Sequence, residues 1–288
     1  MLNRLKISDS GISLMLVASV SFGLMNVSVK MLGAMHVVQV VFFRAVVQLL
    51  ISSVLIYRAG ISPWGKQPKW LVLRGLFGSL GLVGYFYTLQ VMPLGNAIVI
   101  HYLSPMLTAL LAMLLFQERV QGSQWLFFGL SFAGVIVVNG LSDAITWYGI
   151  AGGLAGAVFS AGAYNTIRHL KDSEHPNVII FYFPLVTFPL SLLHGAIDPS
   201  AWRWPVGEEW AWILAMGIFT HYGQYFMTRA YQREEASKVS AVSYAGILWA
   251  ALFGVFWFGE RYQMGQFLGM GLVLLGMFLN VRSAKKTA

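Results

Sequence analysis

Ten runs of 17–22 mostly apolar residues follow one another along this chain, at 11–30, 37–57, 71–91, 95–116, 124–140, 148–167, 177–197, 210–229, 238–258 and 264–281. The hydrocarbon core of a bilayer takes about 20 such residues as a helix. No water reaches that core, so each backbone amide must find its partner within its own segment or a closed barrel. Each run is therefore predicted to be a membrane-spanning helix, and the chain an all-α polytopic membrane protein. The gaps are mostly 3–13 residues, too short to hold a domain outside the membrane. Composition agrees: 57% of the 288 residues are apolar and 10% charged, against about 25% charged in an average soluble domain. There is no cysteine, which excludes disulfides, thiolate metal sites and cysteine nucleophiles. The first run lacks a clear small-residue cleavage site and is followed by nine more, so it reads as a retained span rather than a signal peptide.

The net charge of +8 takes its meaning from where the bases lie. With the N-terminus in the cytoplasm, 15 Lys and Arg fall on the inner side: Arg4, Lys6, Arg58, Lys66, Lys69, Arg74, Arg119, Arg168, Lys171, Arg229, Arg233, Lys238, Arg282, Lys285 and Lys286. Three, Lys30, Arg203 and Arg261, fall on the outer side, and Arg44 lies inside a span. This bias sets the orientation, with both termini cytoplasmic. It directs the basic charge to the anionic inner leaflet of the lipid bilayer and away from a nucleic-acid partner.

The chain also repeats itself. LLFQERVQGSQWLFFGLSFAGVIVVN (114–139) aligns with VFWFGERYQMGQFLGMGLVLLGMFLN (255–280), matching Glu118 to Glu260, Arg119 to Arg261 and Gln124 to Gln266. Earlier, Ser21 matches Ser160, Gly23 matches Gly162, Asn26 matches Asn165, His36 matches His175 and Phe42 matches Phe181. The three-residue change of offset falls between 57 and 71, in a loop, where insertions are tolerated. Two repeats are expected, 1–141 and 142–288. Each holds an odd number of spans, five, so the two face the membrane in opposite senses. Inverted repeats of this kind mark secondary transporters, whose site lies at the repeat interface near the midplane.

FYTLQVMPLGNAIVIHYLSPMLTALLAMLLFQER (86–119) and its echo TRAYQREEASKVSAVSYAGILWAALFGVFWFGER (228–261) resemble the EamA-type branch of the drug/metabolite transporter superfamily. The resemblance is carried by Tyr87 to Leu89, Gly95 to Ala97, Pro105, the Glu118-Arg119 and Glu260-Arg261 pairs, and Arg44 early in the second span. It implies ten spans as five plus five, and export. The second half has Ile247 where many members carry a proline, so the sequence gives no basis for a kink in span nine to match that in span four.

Arg44 is read as the one charge well inside a span. Such residues usually face a cavity or a partner, and a guanidinium binds a carboxylate bidentately. Its structural alternative is pairing with helix-end carbonyls or snorkelling outward. His101 and His221 suit proton coupling or substrate donation, or else neutral hydrogen bonding within the bundle. The central cavity is expected to be lined by Tyr85, Tyr87, Tyr102, Ser104, Tyr164, Asn165, Tyr222, Gln224, Tyr225, Tyr244 and Trp249. Aromatic faces with a few hydroxyls and amides suit amphipathic organic solutes. Pro105 is expected to kink span four, with Ser104 beside the freed carbonyl. Glu118-Arg119 and Glu260-Arg261 are read as gate-stabilising pairs or interfacial anchors. Glycines such as Gly75, Gly81, Gly84, Gly152 and Gly156 are expected to serve close helix packing.

The leading expectation is a secondary transporter that exports small organic metabolites, amino-acid-like or otherwise amphipathic, from the cytoplasm across the inner membrane by alternating access. Uptake of a metabolite or vitamin-like solute is the alternative. An integral-membrane enzyme is remote, because all 11 acids sit at span ends or in loops and no His-x-x-x-His or Ser-centred motif occurs. No cofactor or metal is expected, no Walker A loop implies an ATPase, and a monomer already contains both repeats.

Overall fold

The structure, a computed structural model, describes residues 10–91, 94–140, 146–198, 202–259 and 261–284. Within these residues every regular element is helical: α1 (Gly11–Met31), α2 (Val37–Arg58), α3 (Pro68–Val91), α4 (Leu94–His101), α5 (Ser104–Phe116), α6 (Gly122–Asn139), α7 (Trp147–His169), α8 (Pro176–Ile197), α9 (Glu209–Arg233), α10 (Ala236–Ser243), α11 (Ala245–Phe258) and α12 (Met264–Ala284). Six stretches are long and apolar enough to cross a membrane: α1, α2, Asn96–Phe116, α8, Ala236–Phe258 and α12. The expected repeat boundary, 141/142, lies outside the described residues.

The predicted runs correspond to these helices, with one correction. Spans four and nine are each broken into two helices, at Tyr102–Leu103 and at Tyr244. Pro105 starts α5 rather than kinking a continuous helix, since a proline ring is tolerated where the amide has no helical partner. Span nine breaks without any proline, against the expectation drawn from Ile247. The cause is tertiary: the Tyr102 and Tyr244 rings stack at 5.6 Å, and the Tyr244 hydroxyl donates to the Tyr102 carbonyl at 3.0 Å. That bond satisfies a carbonyl exposed by the break in α4–α5, in a region where no lipid group would do so.

Local structure recurs at the sequence repeat. His36 and His175 cap α2 and α8, each Nδ1 accepting from the backbone N–H two residues on. The amides of Gln121 and Gln263 each donate to the side chain three residues ahead, Gln124 and Gln266, at 2.9 Å. Gln117 and Gly259 end α5 and α11 in the left-handed conformation, at φ 56° and 63°. In these places the same local sequence signal builds the same turn twice.

Packing follows one rule, with one exception. α1 lies on α9, α2 on α8, α3 on α7, α5 on α10, and α6 on α12. Exchanging the halves returns four of these pairs; the fifth, α5 on α10, has no equivalent packing of α11 on α4 among the described residues. In α6–α12, Gln124 Nε2 donates to Asn280 Oδ1 at 3.3 Å and Asn280 Nδ2 to the Gln124 carbonyl at 3.1 Å. Gln266 answers from the other end, donating to the Val138 carbonyl at 3.0 Å. α3 and α7 cross almost backbone to backbone: a Cβ on Gly84 would stand 2.7 Å from the Gly156 Cα. Close approach through small residues is how helices associate where lipid is as apolar as leucine.

Replacing Gly84 with valine must separate α3 from α7, and overpacking of this kind costs about 1–3 kcal/mol. We expect G84V to lower the melting temperature of the detergent-solubilised protein by several degrees. An unchanged melting temperature would contradict the crossing.

Candidate functional site

The polar residues inside the bundle converge on Phe183 of α8. The Arg44 guanidinium carbon lies 5.7 Å from the centre of its ring and that of Arg74 lies 5.4 Å away, so one ring carries two cations. Arg44 comes from α2, where Gln48 and Ser52 follow at one-turn intervals on the same face. Gln48 is fully buried with neither amide atom partnered among the described residues. Ser52 Oγ lies 3.4 Å from His221 Nδ1 of α9. Positions 44 and 183 correspond in the sequence repeat, so this cation meets its own counterpart position across the two halves.

Arg74 corrects the sequence reading twice. The sequence counts it among the inner-side bases and leaves Arg44 as the one charge inside a span. Arg74 is instead only 2% exposed. Its Nη2 donates to Gln224 Oε1 of α9 at 3.2 Å, and its Nε has no partner among the described residues. The guanidinium does not turn back toward the nearby start of α3. It lies over Gly78, where an added Cβ would come within 2.5 Å of Nη1, and so reaches deeper into the bundle.

Tyrosines follow. Tyr164 stacks on Tyr231 at 5.2 Å, and the Tyr85 ring sits 4.4 Å from that of His101. Arg44, Tyr85, His101, Tyr102, Tyr164, Gln224 and Trp249 are half-buried. Asn165, Ser104, His221 and Tyr244 are buried. Asn165 Nδ2 donates to the carbonyls of Thr108 and Ala161, at 3.1 and 2.9 Å. The Ser104 carbonyl accepts from Thr108 Oγ1 at 2.7 Å. Trp249 Nε1 donates to Ser19 Oγ of α1 at 2.9 Å.

Two expected lining residues, Tyr222 and Tyr87, lie on exposed faces, and Tyr225 is half-buried. Tyr222 is exposed on a stripe of α9 with Trp210, Leu214 and Ile218, about 100° around the helix from His221. Tyr87 shares an exposed stripe of α3 with Leu76, Leu80 and Val83. Tyr225 lies under the Arg229 guanidinium, 5.7 Å from ring centre to cation.

The two ends of the bundle are tied differently. At the end that carries Arg168, Arg233 and Lys238, Glu118 does not pair with its neighbour Arg119. It accepts from Arg168 Nε of α7 at 3.2 Å and from the backbone N–H groups of Ala236 and Ser237, at 3.1 and 3.3 Å. One carboxylate thus joins the end of α5 to α7 and to the positive N-terminus of α10. Glu260, the matching acid, lies outside the described residues, and Arg261 is exposed. At the opposite end Arg203 Nη1 donates to Glu209 Oε2 at 2.9 Å, which with the Val206 amide holds that carboxyl below its ordinary range. Gln39 Nε2 donates to the Arg203 carbonyl. A pocket of about 300 Å³, lined by Gln39, Phe42, Phe43, Trp202, Arg203 and Trp204, opens there beside the turn of α2 that leads to Arg44. Among the described residues no group of three or more His, Asp or Glu side chains could hold a metal.

Comparison with known proteins agrees with this architecture. A solved crystal structure superposes with a TM-score of 0.84 at 21% identity, covering 96% of this chain and 98% of the other, which shows a shared fold. The pseudopaline exporter CntI of Pseudomonas aeruginosa is 33% identical over 88% of this chain and 89% of its own length. An uncharacterized transporter of Helicobacter pylori is 27% identical over 92% of each chain, and human solute carrier family 35 member G1 is 28% identical over 87% of this chain and 73% of its own. The model of the EamA-like transporter family matches residues 9–140 and again 147–282. With both halves matched, the chain belongs to the EamA-like transporter family and is an integral membrane transporter.

Proposed function

We propose that the protein exports small organic metabolites, amino-acid-like or otherwise amphipathic, across the cytoplasmic membrane by alternating access between two inverted five-span halves, 1–141 and 142–288. The observation that carries this reading is the helix pairing. Four of the five helix pairs map onto one another when the halves are exchanged, and only the packing of α5 on α10 lacks its counterpart. This supports rocking of one half against the other between two related end states, with α5–α10 closed in the one described. The Arg44–Phe183–Arg74 cluster and the tyrosines beside it lie between those halves, where the solute binds.

The Glu118 clasp is the gate of one end state. It joins the halves at the end where the basic residues collect, which the positive-inside bias makes cytoplasmic. Exposed ion pairs contribute about 0–1 kcal/mol, but the Glu118 side chain is only 7% exposed and also accepts two backbone N–H groups. The outward direction is supported by the similarity to a pseudopaline exporter. A single chain carries both halves and works as a monomer, without a nucleotide-hydrolysing partner.

Two measurements test this. The chain has no cysteine, so single cysteines report topology directly: on intact cells an impermeant maleimide should label V206C and spare S62C. The reverse pattern would overturn the orientation. E118Q keeps one acceptor but loses the charge facing Arg168. It should make a cysteine at the buried Ser240 position several-fold more reactive from the cytoplasmic side and slow solute counterflow in proteoliposomes. Unchanged labelling together with unchanged counterflow would sink the gate. No acid lies inside a span, so wild-type counterflow should proceed without a pH gradient.

A further inference from the structure

Two cations lie inside this bundle, Arg74 buried and Arg44 half-buried, and no described carboxylate pairs with either. By sequence, none of the 11 acids falls inside an apolar run. Of the carboxylates described, Glu118, Glu209, Glu234 and Glu235 pair with Arg168, Arg203 and Lys238 instead. Arg44 has the Phe183 ring; Arg74 has the same ring and one amide oxygen. A ring face and a neutral amide offset only part of the dehydration of a guanidinium. A charge left so in the membrane interior marks a substrate pathway more often than a structural tie.

The direction of Arg74 separates the two readings. An arginine kept for anchoring turns its head to the nearer surface. Arg74 does the opposite, and the fold makes room for it: Gly78, one turn on, has no Cβ, and any Cβ there would collide with Nη1 and with the Phe183 ring. Its Nε–H, buried and unpartnered, remains a donor for a planar acceptor. Arg44 approaches the same ring from α2 and is half-buried. Two planar forks around one ring can hold two separate carboxylates, each bidentately, with the carbon skeleton between them at Phe183.

We propose that the cargo is an organic anion with at least two carboxylates, bound between Arg44 and Arg74 across Phe183, with Gln224 holding the Arg74 fork in place. This rests on the transporter reading of the same site and narrows it from amphipathic solutes to polycarboxylates. The cargo supplies the missing negative charge, so loading also removes the electrostatic penalty that the empty site carries between the two halves.

Binding and transport are measured separately. Purified protein in nanodiscs is titrated with the linear dicarboxylates from malonate to suberate, with glutamate and glutamine, and with 1,5-diaminopentane. At least one dicarboxylate should bind and raise the melting temperature, glutamate should bind better than glutamine, and the diamine should do neither. R44Q and R74Q should each weaken that dicarboxylate by about tenfold or more, the scale of a lost charge-assisted bond. G78A keeps both charges but displaces the Arg74 fork; it should weaken binding as well, with an unliganded melting temperature close to wild type, which guards against a variant that merely unfolds. If no dicarboxylate binds, if the diamine binds as well, or if R44Q and R74Q fold and keep full affinity, the proposal is wrong. Counterflow in proteoliposomes then separates it from the transporter reading. Arginine-dependent binding without counterflow keeps the anion site and refutes transport. Counterflow of glutamine that persists in R44Q and R74Q keeps transport and refutes the anion site.

Discussion

A lipid interior offers no hydrogen bonds, and every departure from continuous helix in this protein has to answer to that constraint. The regular helical ladder is interrupted at membrane depth at Tyr102–Leu103 and at Tyr244, with Leu103 and Tyr244 still in the right-handed helical conformation, and each interruption stands against the other. The Tyr244 hydroxyl reaches the Tyr102 carbonyl, and the two rings stack. Neither break would be tolerable facing lipid. Together they form the meeting point of spans four and nine, from which the packing of α5 on α10 and the aromatic lining follow. Satisfying backbone polarity and placing a polar site in the bundle are here one arrangement.

Much of the fold is legible in the sequence because both of its controlling signals are local. Run length and apolarity mark the spans, and the matched residues mark the duplication. Local chemistry repeats with it, as in the paired histidine caps and the left-handed ends at Gln117 and Gly259. The break in span nine escapes such reading. Proline is a local cause of a break, and at Tyr244 the cause is a residue 142 positions away.

The site is legible only in part, for the same reason. Arg44 is visible because it lies deep in an apolar run. Arg74 looks like an interfacial residue, being within two turns of the start of its helix. What distinguishes it is the direction of its side chain, which depends on an absent Cβ at Gly78 and on a ring from α8. Glu118 is visible as a charge, but its partners are 50 and 118 residues away. Tyr222 shows the opposite failure: one step along a helix from His221 turns a side chain from the interior to the periphery, and an aromatic residue suits both.

The correspondence between Arg44 and Phe183 has a consequence for how such a molecule can diversify. At these matched positions one copy of the sequence holds a cation and the other the ring that carries it, so the contact depends on the two copies differing. Selectivity in this architecture is therefore born where the two copies stop being copies. The residues along that central line are where close relatives with different cargoes should differ first, while the caps and glycine crossings away from it stay matched.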